Sequence, residues 1–115
     1  LFRSIGVYPQ QRKIMLDAGA LALSKDLGAD HLGGPAGYGI VCDLDLTPLP
    51  LRLVAVSQEH GQAFALAPFD VTGVEIGTRL RVIPNHSCLT AAMYDSYVVI
   101  DQGEVVGSWR PVRGW

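Results

Sequence analysis

His86 and Cys88 stand two residues apart in the run Val82-Ile83-Pro84-Asn85-His86-Ser87-Cys88. An imidazole nitrogen and a thiolate sulfur both suit a zinc ion, at about 2.0–2.1 Å and about 2.3 Å. On extended backbone alternate side chains share a face, so this spacing predicts that both donors project to the same side. Pro84 stiffens the approach and Asn85 suits a turn, which places the pair where a strand gives way to a loop. Two protein ligands fall short of the four that close a structural zinc site. The remaining positions stay open to water, substrate or a further side chain, as in a catalytic metal site. Taken alone, His-x-Cys leaves a second reading open, because free cysteine is also a small and well-buried apolar residue.

A second polar group is Glu59-His60-Gly61. One reading makes His60 a third ligand or proton carrier, with Glu59 orienting an imidazole from behind. The other makes it a polar turn at a strand end, with His60 capping backbone groups. Asp17 and Asp26, beside Gly19 and Ser24, read as turn-stabilising carboxylates, with contact to a further domain as the alternative. Cys42 reads as a buried thiol, His31 as a solvated loop residue, and Trp109 and Trp115 as interface aromatics.

The elements that must position these groups are short. Lys13 to Asp17 reads as a strand closing on Ala18-Gly19, and Ala20 to Leu23 as a short helix or a further extended piece. Residues 28 to 50 hold Gly28, Gly33, Gly34, Gly37, Gly39, Pro35, Pro48 and Pro50, a loop-forming density interrupted by a short strand at Tyr38 to Cys42. Leu51 to Ser57 reads as a buried strand, with Gln62 to Ala67 as its neighbour. Val74 to Arg79 is a turn into a half-buried strand, Arg79-Leu80-Arg81-Val82, whose polar and apolar residues alternate. Leu89 to Asp95 supplies one or two helical turns. Ser96 to Ile100 and Glu104 to Trp109 form a hairpin, with Asp101-Gln102-Gly103 as a three-residue loop. The expected fold is all-β: an antiparallel barrel or sandwich of about six to eight short strands with one short helix.

Composition narrows the functions. The 115 residues suit one domain, 1–115, and 49% are hydrophobic against 17% charged, an apolar balance that suits an interface as well as a core. With a net charge of −2 and no Lys/Arg run there is no electrostatic footprint for nucleic acid. No apolar run approaches the ~18 residues of a membrane span, and no stretch has the charged-then-apolar pattern expected of a signal sequence. Two cysteines do not make a secreted disulfide scaffold, so a reduced, cytoplasmic protein is expected. No Gly-rich segment has the ending of a phosphate-binding loop. The chain starts at Leu1 and stops at Trp115, and is expected to be a piece of a longer polypeptide.

Four stretches together resemble the C-terminal β-domain of the D-serine dehydratase / D-threonine aldolase family, pyridoxal-phosphate enzymes of alanine-racemase-like architecture. They are Leu16-Asp17-Ala18-Gly19 with Ala22-Leu23-Ser24-Lys25-Asp26, then Ser57-Gln58-Glu59-His60-Gly61, then Arg81 to Cys88, then Trp109-Arg110-Pro111-Val112-Arg113-Gly114. The resemblance implies an N-terminal barrel, absent here, that binds pyridoxal phosphate through a lysine, so neither Lys13 nor Lys25 takes that role. It implies a homodimer completing the active site, and a small D-amino acid bearing a β-hydroxyl as substrate. The family's metal pair maps onto His86 and Cys88, holding Zn2+ or another divalent ion that would act on the β-oxygen. His60 then belongs with the catalytic groups. So does Tyr94, which follows the metal pair within reach of the cofactor, a packed aromatic being its other reading. His-x-Cys leans toward the dehydratase branch, whereas Leu89 in place of proline and Gln58 in place of an acidic residue leave the substrate open. The alone-standing alternatives are a non-catalytic metal- or ligand-binding β-module and a racemase-like domain with a vestigial metal site.

Overall fold

Alternation of apolar and polar side chains builds the core. In the computed structural model, which describes residues 1–28, 37–66 and 68–114, Ile14 and Leu16 of β2 (Lys13–Leu16) are buried while Lys13 and Met15 are half-buried. Leu51 and Leu53 of β4 (Pro48–Val56) point inward in the same way, flanking the half-buried Arg52. Around them close β1 (Phe2–Tyr8), β3 (Gly39–Cys42), β5 (Gly61–Ala65) and β6 (Arg79–Pro84). The six form a closed antiparallel barrel in the order β1-β2-β5-β4-β3-β6. Its core holds Ile14, Leu16, Val41, Leu51, Leu53, Ala63 and Leu80, so the barrel is filled by side chains and not hollow.

Closure needs curvature, and register shifts supply it between Ser4 and Gly6, Ile40 and Cys42, and Leu53 and Ala55. The shift in β3 also explains why neighbouring Val41 and Cys42 are both fully buried, against strict alternation. At the seam, β1 meets β6 through only two pairs, Phe2↔Leu80 and Arg3↔Arg79. Buried Ser4 reinforces it. Its N–H donates to Thr78 O, its carbonyl accepts from Gly77 N, and its hydroxyl donates to the Glu75 carbonyl.

Two short helices sit on the barrel, α1 (Ala20–Leu23) and α2 (Ser87–Ala92), so the single helix expected from the sequence becomes two. Strand β1 escaped the sequence reading, because its residues carry only partial alternation around Gly6. β4 starts earlier than expected and takes in Pro48 and Pro50. Their missing N–H groups are tolerated at a strand's beginning, and the Pro50 carbonyl still accepts from Leu66 N at 2.9 Å. Strands β7 (Tyr97–Asp101) and β8 (Glu104–Trp109) form a separate two-stranded ribbon. Its loop is a two-residue turn, since Asp101 pairs with Glu104 and both Gln102 and Gly103 have positive φ (47° and 88°). That is the primed turn type, which matches strand twist. The three-residue loop is corrected accordingly.

One end of the barrel is clasped backbone against backbone. A Cβ on Gly19 would strike the Gln58 carbonyl and the Glu59 backbone, and one on Gly61 would lie 2.5 Å from both Ala18 O and Leu53 Cδ1. Both sites need glycine for close approach. Gly61→Ala is therefore expected to destabilise the domain by about 1–3 kcal/mol through overpacking. Gly73→Ala, with nothing within 4 Å of its Cβ position, serves as the control. Thermal unfolding should show a melting temperature several degrees lower for the first variant alone; equal melting of the two would refute the clasp.

Candidate functional site

Antiparallel pairing brings the ends of several elements to the clasped rim. Leu16 at the end of β2 pairs with Gly61 at the start of β5, and Gly39 at the start of β3 pairs with Pro84 at the end of β6. The turn 57–60 joins β4 to β5 there, closed by Ser57 N donating to His60 O at 2.8 Å. The first N–H groups of α1, from Ala20 and Leu21, donate to Ser57 O and Gln58 O at 2.8 and 3.0 Å. The four sequence stretches singled out above thus meet in part as one structure. The first leans on the second, and the third enters the same rim from β6.

His86 does not lie on extended strand with Cys88. β6 ends at Pro84, His86 is the residue that caps α2 with extended dihedrals (φ −125°, ψ 106°), and Cys88 is already in the first turn of that helix. The pair is held at a strand-to-helix junction, so strand alternation does not set the two side chains on one face. Asn85 secures the approach. Its N–H donates to Tyr38 O at 3.1 Å and its side-chain amide donates to Gly37 O. Thr90 then ties α2 down, its hydroxyl within 2.6 Å of Leu23 O and 3.2 Å of His86 O.

The imidazole has a partner that the sequence did not reveal. His86 Nδ1 lies 2.6 Å from Asp26 Oδ2, with the two side chains 36% and 34% exposed. Asp26 also accepts from Gly28 N at 2.7 Å through Oδ1, in keeping with the turn-stabilising role expected of it. The Gly28 N–H, and secondarily the His86 ring, hold the Asp26 carboxyl below its usual range. Gly28 itself is at φ +65°, and its Cβ position would be 3.0 Å from His86 Cβ. Among the described residues the carboxylate found against an imidazole is therefore Asp26, on His86, where Glu59 was the one expected to orient an imidazole. No spacing of residues could have signalled a contact across sixty positions.

The thiol of Cys88 is free and exposed, on an apolar groove of about 540 Å³ between α2 and residues 111–114. Cys42 is fully buried, as read from the sequence, and burial with the neighbouring Asp43 raises its pKa. His60 is exposed at the 57–60 turn. Among the described residues, no three His, Cys, Asp or Glu side chains converge into a metal cage. Tyr94 donates its hydroxyl to Ala22 O at 2.9 Å, linking the end of α2 to α1, and its ring borders a groove with Asp17, Gln58 and Glu59. Asp17 is structural, accepting from Arg3 N across β1. Trp109 is 67% exposed on β8; His31 and Trp115 lie outside the described residues.

The donor set fits a divalent cation of the zinc type. His86 keeps one ring nitrogen clear of Asp26, and Cys88 offers an exposed sulfur. Among the described residues this junction supplies two donors, which leaves such an ion open to other ligands. Thr90→Val should cost about 1 kcal/mol by stranding the Leu23 carbonyl, read as a lower melting temperature with the barrel's far-UV spectrum retained.

Comparisons with known proteins follow the same lines. Residues 3–100 match the model of the family described as "Putative serine dehydratase domain". The chain is 39% identical over 117 residues to a D-serine dehydratase of Dictyostelium discoideum, covering 96% of this chain and 29% of that protein. It superposes on an alanine-racemase-like protein of Idiomarina loihiensis with a TM-score of 0.86 at 34% identity, over 99% of this chain and 31% of the other. The D-threo-3-hydroxyaspartate dehydratase of Delftia sp. HT23 gives 0.83 at 34% identity, again over 99% and 31%. Variants of that enzyme replace by alanine a histidine and a cysteine two positions apart, the cysteine variant being in the metal-free form. The chain spans under a third of the length of these proteins.

Proposed function

Because the chain belongs to the serine dehydratase domain family, we propose that it is the metal-bearing domain of a pyridoxal-phosphate-dependent lyase acting on β-hydroxy D-amino acids. The observation that supports this most is a matched spacing. His86 and Cys88 stand two apart, as do the histidine and cysteine replaced in the Delftia dehydratase, one of whose variants is metal-free. Two of the three relatives named above are dehydratases, which favours dehydration over retro-aldol cleavage.

In this reading His86 and Cys88 hold a divalent ion, zinc by their donor type. When bound, that ion supplies Lewis acidity at a β-hydroxyl, and pyridoxal phosphate supplies the electron sink. His86 presents its ring at a position fixed by Asn85, Thr90 and the short 24–28 loop. Cys88 binds as thiolate, which its exposure on the groove permits. His60, the other imidazole of the described rim, is the candidate proton carrier. Tyr94, whose hydroxyl is engaged by Ala22, contributes its ring to the groove wall and its bond to the placement of α2.

The cofactor's phosphate and lysine are assigned to the remainder of a longer chain, an N-terminal barrel, with a homodimer completing the site. The ribbon is the surface for that contact. Val98, Ile100, Val105, Val106 and Trp109 leave a broad apolar area uncovered. No helix of the described residues is long and apolar enough to cross a membrane. Two free cysteines fit a reducing compartment, and the cytoplasm is the proposed location.

The test is an assay of the full-length protein with D-serine and D-threonine before and after chelation. Chelation is expected to abolish β-elimination from D-serine, and added zinc to restore it. Cys88→Ala should lose bound zinc together with at least about 100-fold of the rate, more than the loss of a mere supporting residue. Undiminished turnover by a metal-stripped Cys88→Ala protein would refute the reading. The isolated 115-residue chain should turn over neither substrate.

A further inference from the structure

The Asp26–His86 contact has a directional consequence. An ionised carboxylate only accepts hydrogen bonds, so a ring nitrogen 2.6 Å from Asp26 Oδ2 must carry the proton. We infer that Asp26 is a positioning residue of the metal site, fixing His86 as the Nδ1–H tautomer so that Nε2 is the nitrogen left to ligate. This rests on the reading of His86 as a metal ligand given above.

Asp26 is built for the task by its own backbone. Its two oxygens serve different donors, Oδ1 the Gly28 N–H and Oδ2 the imidazole, so the carboxylate plane is set before any metal arrives. Its N–H donates to Ser24 Oγ at 3.2 Å, after α1 has ended on Ser24 at φ +68°. Gly28 then packs against Asn85 and the Cβ of His86. The 24–28 loop therefore grips the histidine at both its stem and its ring. A carboxylate behind a ligating imidazole orients the ring and strengthens its free nitrogen as a donor.

Asp26→Asn separates this role from turn-making. Asparagine keeps the shape and can still accept from Gly28 N, but it has only one oxygen. Its amide NH2 then faces the ring, which must accept at Nδ1 and carry its proton on Nε2, the wrong nitrogen for ligation. The experiment uses the full-length protein stripped of metal. Nitrogen-15 NMR of the His86 ring is expected to show the Nδ1–H tautomer in the native protein and Nε2–H in Asp26→Asn. Zinc affinity, measured by chelator competition, should fall about 10- to 100-fold in Asp26→Asn, with the melting temperature unchanged. Asp26→Ala should weaken zinc at least as much and lower the melting temperature too. An Nε2–H ring in the native protein, or native zinc affinity in Asp26→Asn while His86→Ala loses the metal, overturns the role of Asp26 alone. Native zinc affinity in His86→Ala overturns this inference together with the metal reading beneath it.

Discussion

The working end of this domain depends on two peptide backbones lying closer than any side chain would permit. Gly19 rests on the Gln58–Glu59 peptide and Gly61 on the Ala18 carbonyl. One side of that rim is placed in sequence from this clasp. It fixes where β2 ends, and so which carbonyls the first N–H groups of α1 can reach, those of Ser57 and Gln58. That sets the direction of α1, hence where the chain emerges at Ser24, hence the position of Asp26. The far side of the rim arrives independently, through the pairing of β3 with β6 and the two bonds made by Asn85. The Asp26–His86 contact is where the two routes meet.

The barrel and the ribbon stand in different energetic regimes. The barrel buries a continuous cluster from β2 to β6, with Phe2 and Val7 of β1 half-buried against it. The ribbon is paired from Tyr97↔Trp109 to Asp101↔Glu104 with one register shift between Val99 and Ile100, yet every residue of β8 is exposed. A two-stranded hairpin is marginal alone in water. This one is anchored at its base, where Tyr97 donates to Ala91 O at 2.7 Å and Arg113 reaches both Asp95 and the Tyr94 carbonyl. Its uncovered valines and tryptophan account for part of the apolar excess in the composition. In the proposed lyase they meet the rest of the longer protein.

Most strands were legible in the sequence because each carries its own signal: alternation in β2 and β6, a β-branched and apolar run in β4, turn residues around the ribbon. β1 was missed because its alternation is broken by a bulge at Gly6, and the start of β4 because prolines read as loop. The family match rests on four stretches that the fold largely gathers at one rim, so the candidate pair was legible too. What could not be read was tertiary. Asp26 showed its local turn to Gly28 but not its reach to His86. The strand expected to carry both donors proved to end at Pro84, since nothing in Ser87-Cys88-Leu89-Thr90 announces a helix start by a capping side chain.

That junction gives the two donors unequal footing. His86 is held by backbone bonds before it, by Thr90 after it and by Asp26 at its ring, so its free nitrogen is aimed by the barrel. Cys88 sits on a six-residue helix with no buried residue, fastened to the domain through the hydroxyls of Thr90, Tyr94 and Tyr97. An imidazole aimed in advance sets where a cation goes, while a sulfur on an exposed helix can follow it as other ligands come and go. A closed cage needs every donor rigid; a site that must admit a substrate oxygen needs only one fixed anchor and room beside it. In the proposed metal site the fold would meet the second requirement, with a histidine whose ring partner, Asp26, comes from sixty residues upstream.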